Sequence, residues 1–297
     1  MDPDYFPLLS RGSFSMRLAP AFGGSIASFE CCAVSVGNIP IFRPSELGDA
    51  SPTALASFPL VPFVNRVRGG TFSFRGRRVT LAQNMPPDPS PLHGQGWLHP
   101  WQVERLGADH AELLYRHAPD EWPWAYEARQ TFALDGEGLT LDLTCTNLSG
   151  EPMPCGLGQH PYFLCTAKTR LDTGVETVWT IDEHVLPVEQ VPAAGPFDLR
   201  DRLVCGQGLD HGFGGWSGRA TISDPDLPFR IALSSPDGHF FQLYSPASGG
   251  IFVAEPVTHA NAAMNSPEDE WAELGMRVLE PGETMSLTMR VDVLPAQ

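Results

Sequence analysis

The sequence has no long hydrophobic run. Its apolar stretches are a handful of residues each, well short of the roughly 20 that a bilayer-spanning helix needs, so no membrane partner is expected. The opening segment MDPDYFPLLSRGSFSM has acids before any base and no continuous apolar stretch leading to a small-residue cleavage site, so no secretory signal is expected and the chain reads as cytoplasmic. Basic residues are scarce, with 19 Lys and Arg against 35 Asp and Glu. The resulting formal charge of −16 repels a phosphate backbone and argues against a nucleic-acid partner.

Motifs for several chemistries are missing too. There is no Walker-type GxxxxGK[ST], no Rossmann glycine fingerprint after a strand, and no G-x-S-x-G elbow, which leaves nucleotide cofactors and serine-hydrolase chemistry without support. The six cysteines, at 31, 32, 145, 155, 165 and 205, form no CxxC pair and no zinc-finger spacing, and they read as reduced, mostly buried thiols. His93 with His99, or Glu255 with His259, could ligate zinc, but no H-E-x-x-H or similar helix-borne spacing supports that, and no metal is expected.

Helical periodicity is nearly absent as well, and 29 glycines with 29 prolines punctuate the chain. Period-2 alternation takes its place. Leu139, Leu141, Leu143 and Cys145 alternate with threonines and Asp142 after the turn Asp135-Gly136-Glu137-Gly138, and residues 126–134 can supply the partner strand. Met285, Leu287, Met289, Val291 and Val293 repeat the pattern, and a second hairpin is expected around Gly76. Further strands are expected at FSMRLAP, SIASFECCAVSV, AELLYRH, TVWTI, FRIALSS, FFQLYS and IFVAE, with the proline-rich passages 86–91 and 187–196 as loops. Short strands without repeats or a low-complexity linker predict an all-β sandwich, mostly antiparallel, as one domain over 1–297.

Four segments gather reactive side chains among apolar neighbours: 64–70, 92–101, 158–163 and 254–265. In Gly158-Gln159-His160-Pro161-Tyr162-Phe163, His160 reads as a packed turn histidine or as a proton donor in a dry wall made by Tyr162 and Phe163. In His93-Gly94-Gln95-Gly96-Trp97 the glycines allow close backbone approach and Trp97 offers a flat face, the plainer reading being a glycine-rich turn. Glu255 ends an apolar strand, where desolvation would raise its pKa toward a general base's range, unless it points to solvent. Arg66, beside Asn65 and among apolar residues, could present its donor fork to hydroxyls or lie on the surface with its stem on Phe63. Asp210 could accept from a polyol or shape a turn.

Taken in order, Asn65-Arg66, Leu92-His93-Gly94, His160-Pro161-Tyr162-Phe163, Asp210, Ala254-Glu255-Pro256 and then Asn261 and Asn265 resemble the aldose 1-epimerases, the galactose-mutarotase family. Gly23-Gly24-Ser25-Ile26 and Phe42-Arg43-Pro44 look like that family's opening hairpin. The resemblance implies a β-supersandwich with an open groove for a monosaccharide, no metal or organic cofactor, and a monomer or homodimer. It also implies roles: Glu255 as base at the C1 hydroxyl, His160 as acid at the ring oxygen, His93 near that oxygen, Arg66 and Asp210 on other hydroxyls, and Asn65, Trp97 and Tyr162 lining the groove. Gln95-Gly96-Trp97 after His93-Gly94, and His211-Gly212 after Asp210, depart from the hexose pattern. Three other readings stay open: an anionic sugar such as sulfoquinovose or a hexose 6-phosphate met by Arg66, Arg68, Arg75, Arg77 and Arg78; a non-catalytic sugar binder; and a glycosidase or lyase, for which one carboxylate falls short of the usual two.

Overall fold

A computed structural model describes residues 5–33, 37–45 and 51–296. Among these the only helical elements are six 3-10 turns of three residues each, and antiparallel strands make up the framework. One sheet has nine strands in the order Arg202–Leu203, Arg170–Thr173, Arg219–Ser223, Phe229–Ser234, Thr284–Pro295, Gly138–Asn147, Tyr126–Leu134, His110–His117 and Gln102–Leu106. A second large sheet, of eight strands, runs Pro187–Pro192, Thr177–Ile181, Leu209–Gly214, Phe240–Ser245, Ile251–Val257, Gly158–Gln159 and Pro59–Leu60, with Tyr162–Leu164 also paired to Ile251–Val257. A four-stranded sheet within 8–40 and two strand pairs complete the framework.

Alternation explains how the sheets meet. Leu139, Leu141, Leu143 and Cys145 lie opposite Val291, Met289, Leu287 and Met285 in register, and all eight are buried. Each such apolar side chain contributes about 1.5–3 kcal/mol on burial, so a one-residue slip that put this set in water would be prohibitive. The same buried cluster takes in Phe213, Phe241, Leu243, Phe252 and Ala254 from the eight-stranded sheet. That sheet is covered on its other face as well. Phe58, Leu60, Val64, Trp97, Tyr162, Phe240, Val253 and Val257 form a second buried cluster there, which explains why Ile251–Val257 reads as a continuous apolar run.

The hairpins at 126–147 and around Gly76 and the seven other expected strands are present, except that the tail of SIASFECCAVSV at 34–36 lies outside the described residues. The expectation of a loop over 187–196 is corrected: Pro187–Pro192 is a strand. It forms the sheet's edge, where a proline's missing N–H leaves no ladder bond unmade.

The thiols need correction too. Cys165 and Cys205 form a disulfide with Cα atoms 5.6 Å apart, while Cys145 and Cys155 are buried free thiols and Cys32 is exposed. The bridged pair is 40 residues apart in sequence, a separation that gives no hint of proximity. It joins the end of Tyr162–Leu164 to the segment that leads into Leu209–Gly214. Replacing either cysteine by serine is expected to lower stability by about 2–4 kcal/mol. Urea unfolding with and without reductant checks this, since reductant should bring the native protein down to the variant's level.

Candidate active site

Strand register sets the site. Gln242 lies directly across from Glu255, and on the other side of the same strand Gly212 faces Gln242 and Asp210 faces Tyr244. Phe241, Leu243 and Ala254 point into the core, so the residues alternating with them, Gln242, Tyr244 and Glu255, share the opposite face. Tyr162, paired with Val253, joins this face from the neighbouring strand. Above it opens a groove of about 340 Å³ lined by Asn65, Arg66, His93, Trp97, His160, Tyr162, Asp210, Gln242 and Glu255.

His160 and Glu255 meet in its floor, with His160 Nε2 3.6 Å from Glu255 Oε1 and both side chains almost fully buried. The His160 backbone N–H donates to Phe58 O, and its ring lies 4.3 Å from the Phe58 ring at an interplanar angle of 15°. Tyr162 closes the other side at 4.8 Å. Burial pushes the Glu255 carboxyl well above its usual range, with nearby Asp210 adding to the rise, and it pulls His160 down to about 3. Burial thus disfavours charge on either group and favours a neutral acid beside a neutral imidazole. The ion pair of carboxylate and imidazolium has the same proton count.

His93 is fixed as a donor. Its Nδ1 accepts from the Asn65 backbone N–H at 3.0 Å and burial holds it well below its ordinary pKa, so the ring is neutral with its proton on Nε2, on the groove side. The His93 backbone N–H returns a bond to Asn65 O. Both residues adopt left-handed backbone conformations, φ +57° at Asn65 and +61° at His93, which stores strain at the two loop tips that enter the groove. Gly94 follows at φ +70°, and an added Cβ there would run into the Val61 carbonyl and the Pro62 ring. Gly94→Ala is expected to cost about 2 kcal/mol or more and to displace His93, seen as a lower melting temperature together with a shifted His93 imidazole resonance.

Arg66 lies in the groove wall with its side chain 11% exposed. Its Nε donates to Asp88 at 2.8 Å, its Nη1 to Asn65 Oδ1 at 3.1 Å, and its Nη2 lies 3.8 Å from Asp210. Asp210 accepts from Gln242 Nε2 at 2.7 Å. Asn261 and Asn265 brace the loop from behind, accepting from the backbone N–H groups of Arg66 and Arg68. Trp97 is 3% exposed, packs on Phe58 and donates its indole N–H to the carbonyls of Leu92 and Gly94, so it supports the wall from within.

The eight residues expected from the sequence thus line one groove. Gln242, Tyr244, Phe58 and Asp88 were not anticipated. Asp88 sits in the proline-rich passage, and the other three lie on or beside strands buried on both faces, where polarity does not alternate. His259 is structural: its Nε2 accepts from the Val64 N–H and its Nδ1 donates to Ala260 O, so neither nitrogen is left for zinc. Among the described residues no group of three or more His, Cys, Asp and Glu is placed to hold a metal ion, and no helix is long and apolar enough to cross a membrane.

Two antiparallel sheets packed face to face, with a groove on the second face of one of them, define a galactose mutarotase-like β-supersandwich. The chain belongs to the aldose 1-epimerase family, whose pattern matches residues 19–292. It is 32% identical to the uncharacterized protein YphB of Escherichia coli K12 over 96% of this chain and 98% of that one. A solved Escherichia coli K12 structure provisionally described as an aldose 1-epimerase superposes with a TM-score of 0.89 at 29% identity, covering 98% and 99% of the two chains. A galactose mutarotase-like protein from Clostridium acetobutylicum shares the fold, with a TM-score of 0.85 at 17% identity over 97% and 95%.

Proposed function

We propose that the protein is an aldose mutarotase, which opens and recloses the ring of a free neutral aldose to interconvert its α and β anomers. The observation that carries this reading is the buried His160–Glu255 approach in a groove otherwise lined by hydrogen-bonding groups. A non-catalytic sugar binder has no use for such a pair. Opening the ring requires a proton to leave the C1 hydroxyl while another reaches the ring oxygen, so one base and one acid must flank the anomeric centre.

When sugar hydroxyls hydrogen-bond to the carboxylate they favour its ionised form, and the proton moves to His160. Glu255 then takes the C1 hydroxyl proton, His160 delivers its own to the ring oxygen, and the C1–O5 bond breaks to give the open aldehyde. Rotation about C1–C2 presents the other face, and reclosure reverses both transfers. His93 Nε2–H donates near the ring oxygen, while Arg66 and Asp210 hold other hydroxyls.

A neutral sugar is favoured over an anionic one by where the arginines lie. Arg68, Arg75 and Arg77 pair with Asp182, Glu280 and Glu151 away from the groove, and Arg78 lines a separate surface hollow. Arg66 alone of the five lines the groove, and it faces two carboxylates. Polarimetry of freshly dissolved α-anomers across neutral, acidic and phosphorylated aldoses tests the proposal, with acceleration expected for a neutral aldose. Calorimetric binding with no rate effect on any of them would refute it.

A further inference from the structure

Asp88 does not line the groove, yet it determines what Arg66 can offer there. Its Oδ2 accepts from Arg66 Nε at 2.8 Å from behind, while Oδ1 accepts from the Ser90 N–H at 2.9 Å and its carbonyl accepts from the Gln83 amide. Asn84 ties the same passage to the segment entering the site, bonding both the N–H and the carbonyl of Leu92, the residue before His93. The Pro86-Pro87-Asp88-Pro89 turn is therefore a rigid mount.

Charge is the second consequence of this arrangement. Every nitrogen of the Arg66 guanidinium faces an oxygen of the protein, in Asp88, Asn65 and Asp210. One positive charge is set against two carboxylates at a site where little water screens them. An unpartnered arginine would attract phosphate, sulfonate or carboxylate substituents with paired, charge-assisted hydrogen bonds. This arginine is already neutralised, so its remaining donor capacity suits hydroxyls.

We propose that Asp88 is a specificity-determining residue: by aiming the Arg66 guanidinium and cancelling its charge from behind, it makes the groove accept uncharged hydroxyls and reject anionic sugar substituents. The proposal rests on the groove being the sugar site, and it is read by binding as well as by rate. Asp88→Asn and Asp88→Ser are compared with the native protein and with Asp88→Glu, using calorimetry and polarimetry with D-glucose, D-galactose and their uronic acids. For the two uncharged substitutions, Kd and KM for the better neutral sugar should rise roughly tenfold, the worth of one charge-assisted hydrogen bond, with kcat changed less. The preference for that sugar over its uronate should shrink by a comparable factor, and Asp88→Glu should restore it.

Either uncharged variant suffices if the other fails to fold. Equal shifts for neutral and anionic sugars, or none, would overturn the assignment of Asp88. A native protein that binds neutral sugars without accelerating mutarotation would sink the enzymatic reading and leave Asp88 to be judged by binding. A native protein that binds no sugar overturns both.

Discussion

Glu255→Gln is expected to lower kcat/KM for mutarotation by about 10²- to 10⁴-fold while leaving the fold intact, because the amide keeps the carboxyl's shape but cannot take a proton. The same substitution should make the protein more stable toward alkaline pH. Burial raises the carboxyl's folded pKa well above its ordinary value near 4.5. The stability this group allows is full below that ordinary value and is lost as pH rises through the raised one, where a charge must be carried in a site that disfavours it. Glutamine carries no charge at any pH, so the melting-temperature gap between variant and native should widen from pH 5 to pH 8. A gap that stayed constant across that range would contradict a desolvated Glu255.

His160→Asn is expected to reduce the rate by a similar factor, and its pH dependence identifies the role more sharply than the loss itself. In the proposed mechanism the productive state holds one transferable proton on the Glu255–His160 pair, whose side chains lie 3.6 Å apart. That state gives way on the acid side only near His160's lowered value of about 3, and on the alkaline side at Glu255's raised value. kcat/KM should therefore be level through mildly acidic pH and fall as pH rises past the carboxyl. Without the imidazole only the ionised carboxylate is needed, so the residual rate should climb where the native rate declines. An acid limb near pH 6.5 in the native protein would mean that His160 titrates as a solvated imidazole, against the assigned geometry.

What the sequence revealed divides along physical lines. Strands with one face in the core, such as Gly138–Asn147, announce themselves by alternation, and the loop motifs around His93 and His160 are recognisable because glycine and proline fix their backbones. Asp210 stood out only as a possible polyol acceptor or turn former until family likeness placed it, since Leu-Asp-His-Gly-Phe-Gly alternates weakly and its strand is defined by its partner. Gln242 was invisible because both faces of Phe240–Ser245 are covered, so one glutamine in an apolar run gives no direction. Asp88 and the Cys165–Cys205 pair depend on contacts between distant segments, which local pattern does not encode.

The eight-stranded sheet works as a two-sided board. Phe241, Leu243 and Ala254 fasten its underside, while Gln242, Tyr244 and Glu255, one residue along, face the opening above. Substitutions confined to the upper set can redraw the recognition pattern without disturbing the fastening. Inserting or deleting a single residue within either strand would turn the board over, exchanging acid for oil on both sides at once. Diversification of this scaffold, natural or directed, thus has an open route through residue replacement and a closed one through changes in strand length.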